Sequence, residues 1–342
     1  MTAPGPVYHL ALRDLHREAG ASFRLVDGWS VPAGYGDAAS EYAALRESAV
    51  VADRSDRSRF MVTGTDAGTV LDAAFAGHLN ELEEGRAVRT LALDGRGEIR
   101  DVVLVARTGG IAYLVSGEPS RREETLTRLN DQVRADFDVR IEDRTATTCM
   151  LTLAGPGAAS VAAAHLSDAL PARLPSLHCA TFEFHGFRTL AVRAGEGGED
   201  GFCFVVAPAV AQHLLETLQA AGVTLAGRDA LECARVEACI PAAEPDLAGL
   251  TPAEAGAERG ATPRRVLSAL LLDATDPVAS STPLTHDGGL AGDVRSCVRS
   301  FSLRSAIALA VVEADCSSPG TQLDAGAIRG TIVAQPIYRR RQ

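Results

Sequence analysis

SRFMVTGTDAGTVLDAAFAGHL, residues 58–79, and TCMLTLAGPGAASVAAAHL, residues 148–166, are two versions of one phrase. Each opens on an alternating or apolar stretch that suits a strand, breaks at a glycine, and continues with small and apolar residues at helical spacing. After the first come RTLAL, IRDVVLVA and AYLVSG, strand-like segments joined by the turns DGRGE and RTGG. A helix from Pro119 to about Asn130 closes that run. After the second come FRTLAVRA, GFCFVVA and AQHLLETLQAAG, the same order of strands and closing helix. The repetition predicts an α+β fold with two related units in tandem. Upstream, AASEYAALRESAVVADRS places Tyr42, Leu45 and Val50 at helical spacing, and Asp66 stands as the start of the helix in the first phrase.

Beyond LAGLTPAEAGAERGATPRR the texture changes. From Val266 onward, short strands alternate with the turns TDPVASSTP, THDGG and SSPGTQ. That spacing predicts a β-barrel or sandwich of about eighty residues. The boundary falls between Ala248 and Arg264.

Composition narrows the chemistry. A net charge of -11 and a pI near 5.2 argue against nucleic acid or an anionic membrane as partner. The basic clusters are Arg264 with Arg265 and the run Arg339, Arg340 and Arg341, which read as solvated charge. All 33 residues counted as Lys+Arg are arginine. Without lysine there is no Schiff base and no phosphate-loop lysine. The seven cysteines are odd in number and form no CxxC pair. They suit reduced buried thiols better than zinc. The N-terminus carries Arg13, Asp14, His16, Arg17 and Glu18 where a signal peptide needs an apolar core, so a soluble, cytoplasmic protein is expected.

RAGEGGEDGFCF, residues 193–204, sets a Glu–Asp pair inside four glycines between two apolar runs. A hairpin turn needs one or two glycines. The surplus suggests that something approaches the backbone. A dinucleotide fingerprint fails here, because Asp200 occupies the place of its third glycine.

The order of segments resembles the glycine-cleavage T-protein (aminomethyltransferase) family. LRDLHREAGASFRLVDGWSVPAGYG and EYAALRESAVVADRS are similar to that family's LHxxLGAKxxxFxGWxMPxxY and HxxVRxxAGLFDxS. VTGTDA, GRAVRTLALDGRGEIRDVVLV, LTLAGPGA, ARVEACIPAAEPDL, TPAEAG, RSAIALAVV, SPGTQL and QPIYRRR carry the likeness along nearly the whole chain. The resemblance implies three domains around a central tetrahydrofolate channel. Two are interleaved α+β units, approximately 1–52 with 140–250 and 53–139. The third is a C-terminal β-barrel over 264–342.

It also implies roles. The loop matches the family's RTGYTGEDGFE, which places Glu199 as the pterin ligand. A carboxylate can accept a ring N–H and the adjacent amino group together. Glycines 195, 197, 198 and 201 let the backbone approach a flat ring, and Gly198 belongs to that contact set. Arg235 matches the arginine of LRLEAG, to pair with Glu199 or to bind the folate directly, and Tyr338 in QPIYRRR completes the cofactor residues. Asp101 matches the second aspartate of IIDDLIV and is the expected catalytic group. It would stabilise positive charge developing on the one-carbon unit and help move a proton. The bland reading of Asp101 is a strand-end salt bridge with Arg100.

Several positions depart from the pattern. TND becomes Ala76, Gly77 and His78; the tyrosine of YTLML becomes Arg89; the tyrosine of GYTGED becomes Glu196; and the serine–histidine of DVSHMG becomes Ser55 and Asp56. Charge thus replaces aromatic and amide contacts, with Arg89 still counted among the cofactor residues. The segment between TPAEAGA and RRVLSALLL is shortened to ERGATP, and the KGCYxGQ motif of related folate-binding accessory proteins is absent. The expected function is a tetrahydrofolate-dependent aminomethyl-type transfer from a small one-carbon donor or, as in glycine cleavage, from the lipoyl arm of a carrier protein. Two alternatives stand beside it: a non-catalytic folate-binding accessory protein in iron–sulfur maintenance or regulation, and a folate-dependent demethylase with another methyl donor.

Overall fold

The computed structural model describes residues 6–166, 174–258 and 260–338; the arginine run at 339–341 lies outside them. It is mixed α+β, with a closed barrel formed by its C-terminal part. Contacts divide it into two compact units. One holds the chain up to Ala92 and again from Asp101 to Ala230; the other holds Leu93–Arg100 and the chain from Leu231.

The first unit opens with β1 (Tyr8–His9), α1 (Arg13–Glu18), β2 (Ser22–Val26) and β3 (Trp29–Gly34), whose strands form a small sheet. Leu10, Trp29 and Val31 are its apolar core. In α2 (Ala38–Glu47), Asp37 accepts hydrogen bonds from the Ala39 and Ser40 N–H groups, a helix cap. β4 (Val50–Asp53) is buried at every residue. His16, on α1, joins it by a 2.8 Å contact to Asp53 and reaches the Tyr35 hydroxyl at 2.8 Å on its other ring nitrogen.

The first repeat comprises β5 (Ser58–Thr63), α3 (Ala67–Ala74), β6 (Ala87–Leu93), β7 (Ile99–Gly109), β8 (Ala112–Gly117), α4 (Arg122–Asp131) and β9 (Arg140–Asp143). Its sheet runs β6-β7-β8-β5-β9. The second comprises β10 (Cys149–Ala154), α5 (Ala158–His165), β11 (Cys179–Phe184), β12 (Phe187–Val192), β13 (Gly201–Val206), α6 (Pro208–Ala220) and β14 (Thr224–Leu225). Its sheet runs β11-β12-β13-β10-β4-β14. The first five strands correspond place for place. β9 flanks β5 antiparallel, and β4 flanks β10 antiparallel.

The likeness extends to backbone geometry. Gly64 and Gly155, each between its strand and its helix, share a φ of +125°. A Cβ at Gly64 would lie 2.1 Å from the Asp138 carbonyl, and one at Gly155 would lie 2.6 Å from the Ser48 carbonyl. No other residue fits either place. Asp66 begins α3 as expected, but its carboxylate accepts the Asp138 N–H rather than capping its own helix. Between the repeats, Ala87, Leu104, Ala106 and Leu114 pack with Cys179, Val192 and Ala194 in one apolar cluster.

The helix α7 (Arg228–Glu237) leads into the second unit, whose strands are β15 (Arg265–Leu272), β16 (Pro283–His286), β17 (Gly289–Arg299), β18 (Ala306–Glu313), β19 (Gln322–Ala325) and β20 (Ile328–Val333). They close in the order β15-β18-β17-β16-β19-β20. Alternation along β18 explains the filling. Ala306, Ala308, Ala310 and Val312 join the inner core, while Ile307 and Leu309 pack against Val236 of α7. None of the seven cysteines is in a disulfide. Among the described residues, no cluster of metal-ligating side chains occurs, and no helix is long and apolar enough to cross a membrane.

Candidate active site

Register brings the site together. In the β5–β8 pair, Ser58 lies opposite Gly117, so the next residues outward, Arg57 and Glu118, meet across the ladder. Their side chains pair at 3.0 Å. The loop behind them, Arg54–Arg57, is held rigid by Arg59. That side chain is fully buried and donates to the carbonyls of Ser55, Arg57, Thr145 and Thr148. In SRFMVT it would read as an outward residue of an alternating strand; instead it staples the loop from beneath.

Asp101, on β7, is 1% exposed. Its Oδ1 accepts from the backbone N–H of Val102 at 2.8 Å and of Glu118 at 3.2 Å, and its Oδ2 accepts the Thr125 hydroxyl at 3.3 Å. It makes no ion pair among the described residues, so the expected alternative of a bridge with Arg100 is not what holds it. Burial pushes its pKa up to about 6, and the Glu118 charge adds to the rise. Gly117 leaves the space for it: a Cβ there would lie 2.3 Å from Oδ2.

The glycine-rich loop is the second part. Its fold depends on Gly195, where a Cβ would fall 1.7 Å from the Glu199 carbonyl, and on Gly197 and Gly198, at φ +60° and +84°. Gly198 is exposed. Arg46 of α2 pins the loop by donating to the Gly197 carbonyl at 2.9 Å and to Glu199 Oε1 at 2.8 Å. The other carboxylate oxygen of Glu199 has no hydrogen bond among the described residues.

Between the two parts runs a ladder of charges. Arg54 pairs with Glu196 at 2.5 Å and stands 3.6 Å from Asp56, which lies equally far from Arg228. Burial alone would depress the Arg54 guanidinium, but Glu196 and Asp56 outweigh it and raise its pKa. Burial works against the Asp56 and Glu196 charges too. Arg54 and its neighbouring arginines win, holding both carboxyls below their ordinary range. Asp56 is 1% exposed, and among the described residues neither of its side-chain oxygens has a hydrogen-bond partner. Arg89, on β6, is accessible to water, yet protein crowds it enough that desolvation, then the Arg57 charge, lowers its pKa.

Arg235 and Tyr338 belong to the second unit, and each bonds near the end of α7. The Tyr338 N–H donates to the Glu237 carbonyl at 3.1 Å. Arg235 pairs with Glu232 and Asp246, each at 2.6 Å, and donates to Ser296 and the Ile240 carbonyl. The expected alternative of an Arg235–Glu199 pair is therefore replaced by Arg46 on one side and by Glu232 with Asp246 on the other. Sequence reading missed Arg46, Arg54, Arg57, Glu118 and Arg228. Only Arg46 left a signal, as the arginine of the HxxVRxxAG-like segment.

The profile of the GCVT N-terminal domain matches residues 12–261, and that of the glycine cleavage T-protein C-terminal barrel domain matches residues 264–339. The chain belongs to the glycine-cleavage T-protein family. It is 29% identical to an aminomethyltransferase of Cutibacterium acnes, over 96% of this chain and 98% of that protein. It is 30% identical to an aminomethyltransferase of Streptomyces avermitilis, over 98% of each. The glycine cleavage system aminomethyltransferase T from Bartonella henselae superposes with a TM-score of 0.87 at 23% identity, covering 97% of this chain and 98% of that one. The T-protein fold is thus continuous through the whole described chain, including the segment where Glu196, Arg89 and Asp56 introduce charge.

Proposed function

We propose that this T-protein family member is a tetrahydrofolate-dependent transferase of an aminomethyl-type one-carbon unit, with Asp101 as its catalytic carboxylate and Glu199 as its pterin ligand. The observation that carries the reading is the Glu199 loop. Arg46 fixes one carboxylate oxygen while the other keeps its accepting capacity, and exposed Gly198 beside it offers backbone without a side chain. This donor and acceptor set fits the amino edge of a reduced pterin, which presents two N–H groups side by side. The fit is to the edge. At Glu196 and Arg89 no aromatic face is offered for stacking.

Tetrahydrofolate would supply the nucleophilic nitrogen that accepts the one-carbon unit. The chain's own residues do the rest. Asp101, desolvated and held by two backbone N–H groups, is ionised above about pH 6 and presents a fixed negative charge that is worth more in a dry site than in water. The Thr125 hydroxyl fixes the carboxyl plane. Arg235 and Tyr338 are assigned to the folate on the family motif alone.

A titration of purified protein with reduced folates, followed by an assay with an aminomethylated lipoyl carrier, tests the reading. Asp101→Asn keeps the shape of the side chain, and its amide can donate to the Thr125 oxygen. Turnover should fall by about a hundredfold or more while folate affinity stays within about tenfold. Equal loss in both would make Asp101 structural. Glu199→Ala should weaken folate binding; unchanged affinity removes it from the site. A folate-binding role without turnover is the second reading, favoured by the charges at Glu196 and Arg89. Tight folate binding with no transfer from any aminomethyl or methyl donor would select it.

A further inference from the structure

We propose that His16 is a positioning residue for Asp101, acting through Asp53 and the Arg54–Arg57 loop. The inference rests on the proposed reading of Asp101 as the catalytic carboxylate and adds to it a residue from outside the charge ladder.

The side chains of His16 and Asp53 are fully buried against each other. A carboxylate only accepts, so His16 Nε2 donates to Asp53 Oδ2 at 2.8 Å, while Nδ1 meets the Tyr35 hydroxyl at 2.8 Å. Asp53 is the last residue of β4, and its other oxygen, Oδ1, accepts the Ser55 N–H at 2.8 Å. An aspartate that binds the backbone two residues on sets the turn of the chain there. One carboxylate therefore has one oxygen on α1 and the other on the loop. Ser55 is held at all three of its polar groups: Asp53 takes the N–H, Arg59 donates to the carbonyl at 3.3 Å, and the hydroxyl accepts the Met150 N–H at 2.9 Å. Arg59 secures the carbonyl side, and the Ser55 N–H depends on Asp53.

Two arms leave this loop. Arg57 pairs with Glu118 at 3.0 Å, and the Glu118 N–H donates to Asp101 Oδ1 at 3.2 Å. Arg54 pairs with Glu196 in the loop of Glu199, but that loop has its own pin in Arg46, which holds Gly197 and Glu199. A displacement at Ser55 thus reaches Asp101 more strongly than Glu199. Without the His16 Nε2–H, Asp53 Oδ2 is buried with no partner, and the carboxylate relieves this by rotating, which breaks its bond to Ser55. A shift of about 1 Å passed to a reacting group costs on the order of a hundredfold in rate.

Replacement by amides separates the two ring nitrogens. In His16→Gln the side-chain nitrogen falls near Nε2 and keeps the Asp53 bond; in His16→Asn it falls near Nδ1 and loses that bond. Tyr35→Phe removes the bond on the other side alone. The readouts are kcat for aminomethyl transfer, tetrahydrofolate affinity by calorimetry, and backbone amide exchange at Ser55 and Glu118. His16→Asn should lower kcat by about a hundredfold, leave folate affinity within about threefold, and speed exchange at both amides by about tenfold or more. His16→Gln and Tyr35→Phe should keep kcat within about threefold of wild type and both amides slow. His16→Met, which keeps bulk without a donor, carries the expectation of His16→Asn should that variant not fold. A packing role alone makes His16→Gln and His16→Asn lose kcat alike, and that result overturns the proposal. Wild-type kcat in His16→Asn overturns it too, as does faster exchange at Ser55 with none at Glu118. If wild type turns over and the exchange pattern fails, only the His16 assignment falls. If wild type transfers no one-carbon unit, the functional reading falls, and exchange at the two amides still decides whether His16 places the chain bonded to Asp101.

Discussion

The two repeats use one scaffold in opposite ways. In the first, β7 and β8 join by a minimal turn, Gly109 pairing with Ala112, and the carboxylate we propose as catalytic, Asp101, sits on the strand itself. In the second, the equivalent strands β12 and β13 are separated by residues 193–200, and the carboxylate we propose as pterin ligand, Glu199, sits on that loop. A group carried on a strand is placed by the ladder and buried; a group carried on a loop must be placed by the loop's own contacts. Asp101 accordingly has backbone partners and a raised pKa, whereas Glu199 depends on Arg46 from another element.

Matched substitutions test that contrast. Gly195→Ala puts a methyl group against the Glu199 carbonyl, so the loop must open. Urea unfolding should show a loss of about 3 kcal/mol or more, since the clash is with backbone. Arg46→Gln removes the pin and leaves Glu199 partly buried without its cation. We expect a loss of about 1–3 kcal/mol, with folate affinity falling alongside. If stability drops and affinity does not, the loop is placed by its glycines alone.

Asp101 answers to pH. Its folded pKa of about 6 lies above the unfolded value of about 3.9, so the native state binds a proton that the unfolded chain has released between these limits. Stability should therefore fall as pH rises from about 4 to 6, by up to about 3 kcal/mol, and Asp101→Asn should flatten that slope in urea titrations. Transfer that needs the carboxylate should rise over the same window. Glu118→Gln removes the repulsion and should move the midpoint of the rate profile to lower pH, whereas Arg57→Gln should move it up. The smallest effect belongs to Gly109→Ala. A Cβ there meets only the Ala112 methyl at 3.7 Å, and unfolding should change by no more than about 0.5 kcal/mol. A large loss at Gly109 would erase the distinction between the two connections.

The duplicated framework was legible because its cause is local. A strand, a glycine that no other residue can replace and a helix of small residues recur in SRFMVTG and TCMLTLAG, and the barrel announces itself in turn spacing. Glu199 and Asp101 enter as candidates from short motifs of the family. The charge ladder was not legible. Its members lie far apart in the chain, and the polar run RSDRSR, residues 54–59, has no apolar period that marks burial. The fold instead buries Arg54, Ser55, Asp56, Ser58 and Arg59. What decides this is the capacity of Arg59 to satisfy carbonyls from beneath, a tertiary effect with no period in sequence.

The place of β4 has a bearing on how the molecule is made. It leaves the ribosome early, yet the strand it lies against, β10, begins only at Cys149, after the entire first repeat has been synthesised. A nascent chain therefore carries an apolar, unpaired edge through most of the translation of its first half, a state open to mispairing. A circular permutant whose new start lies just before β10 would bring the two strands out in the reverse order, and its refolding yield would report how much that delay matters.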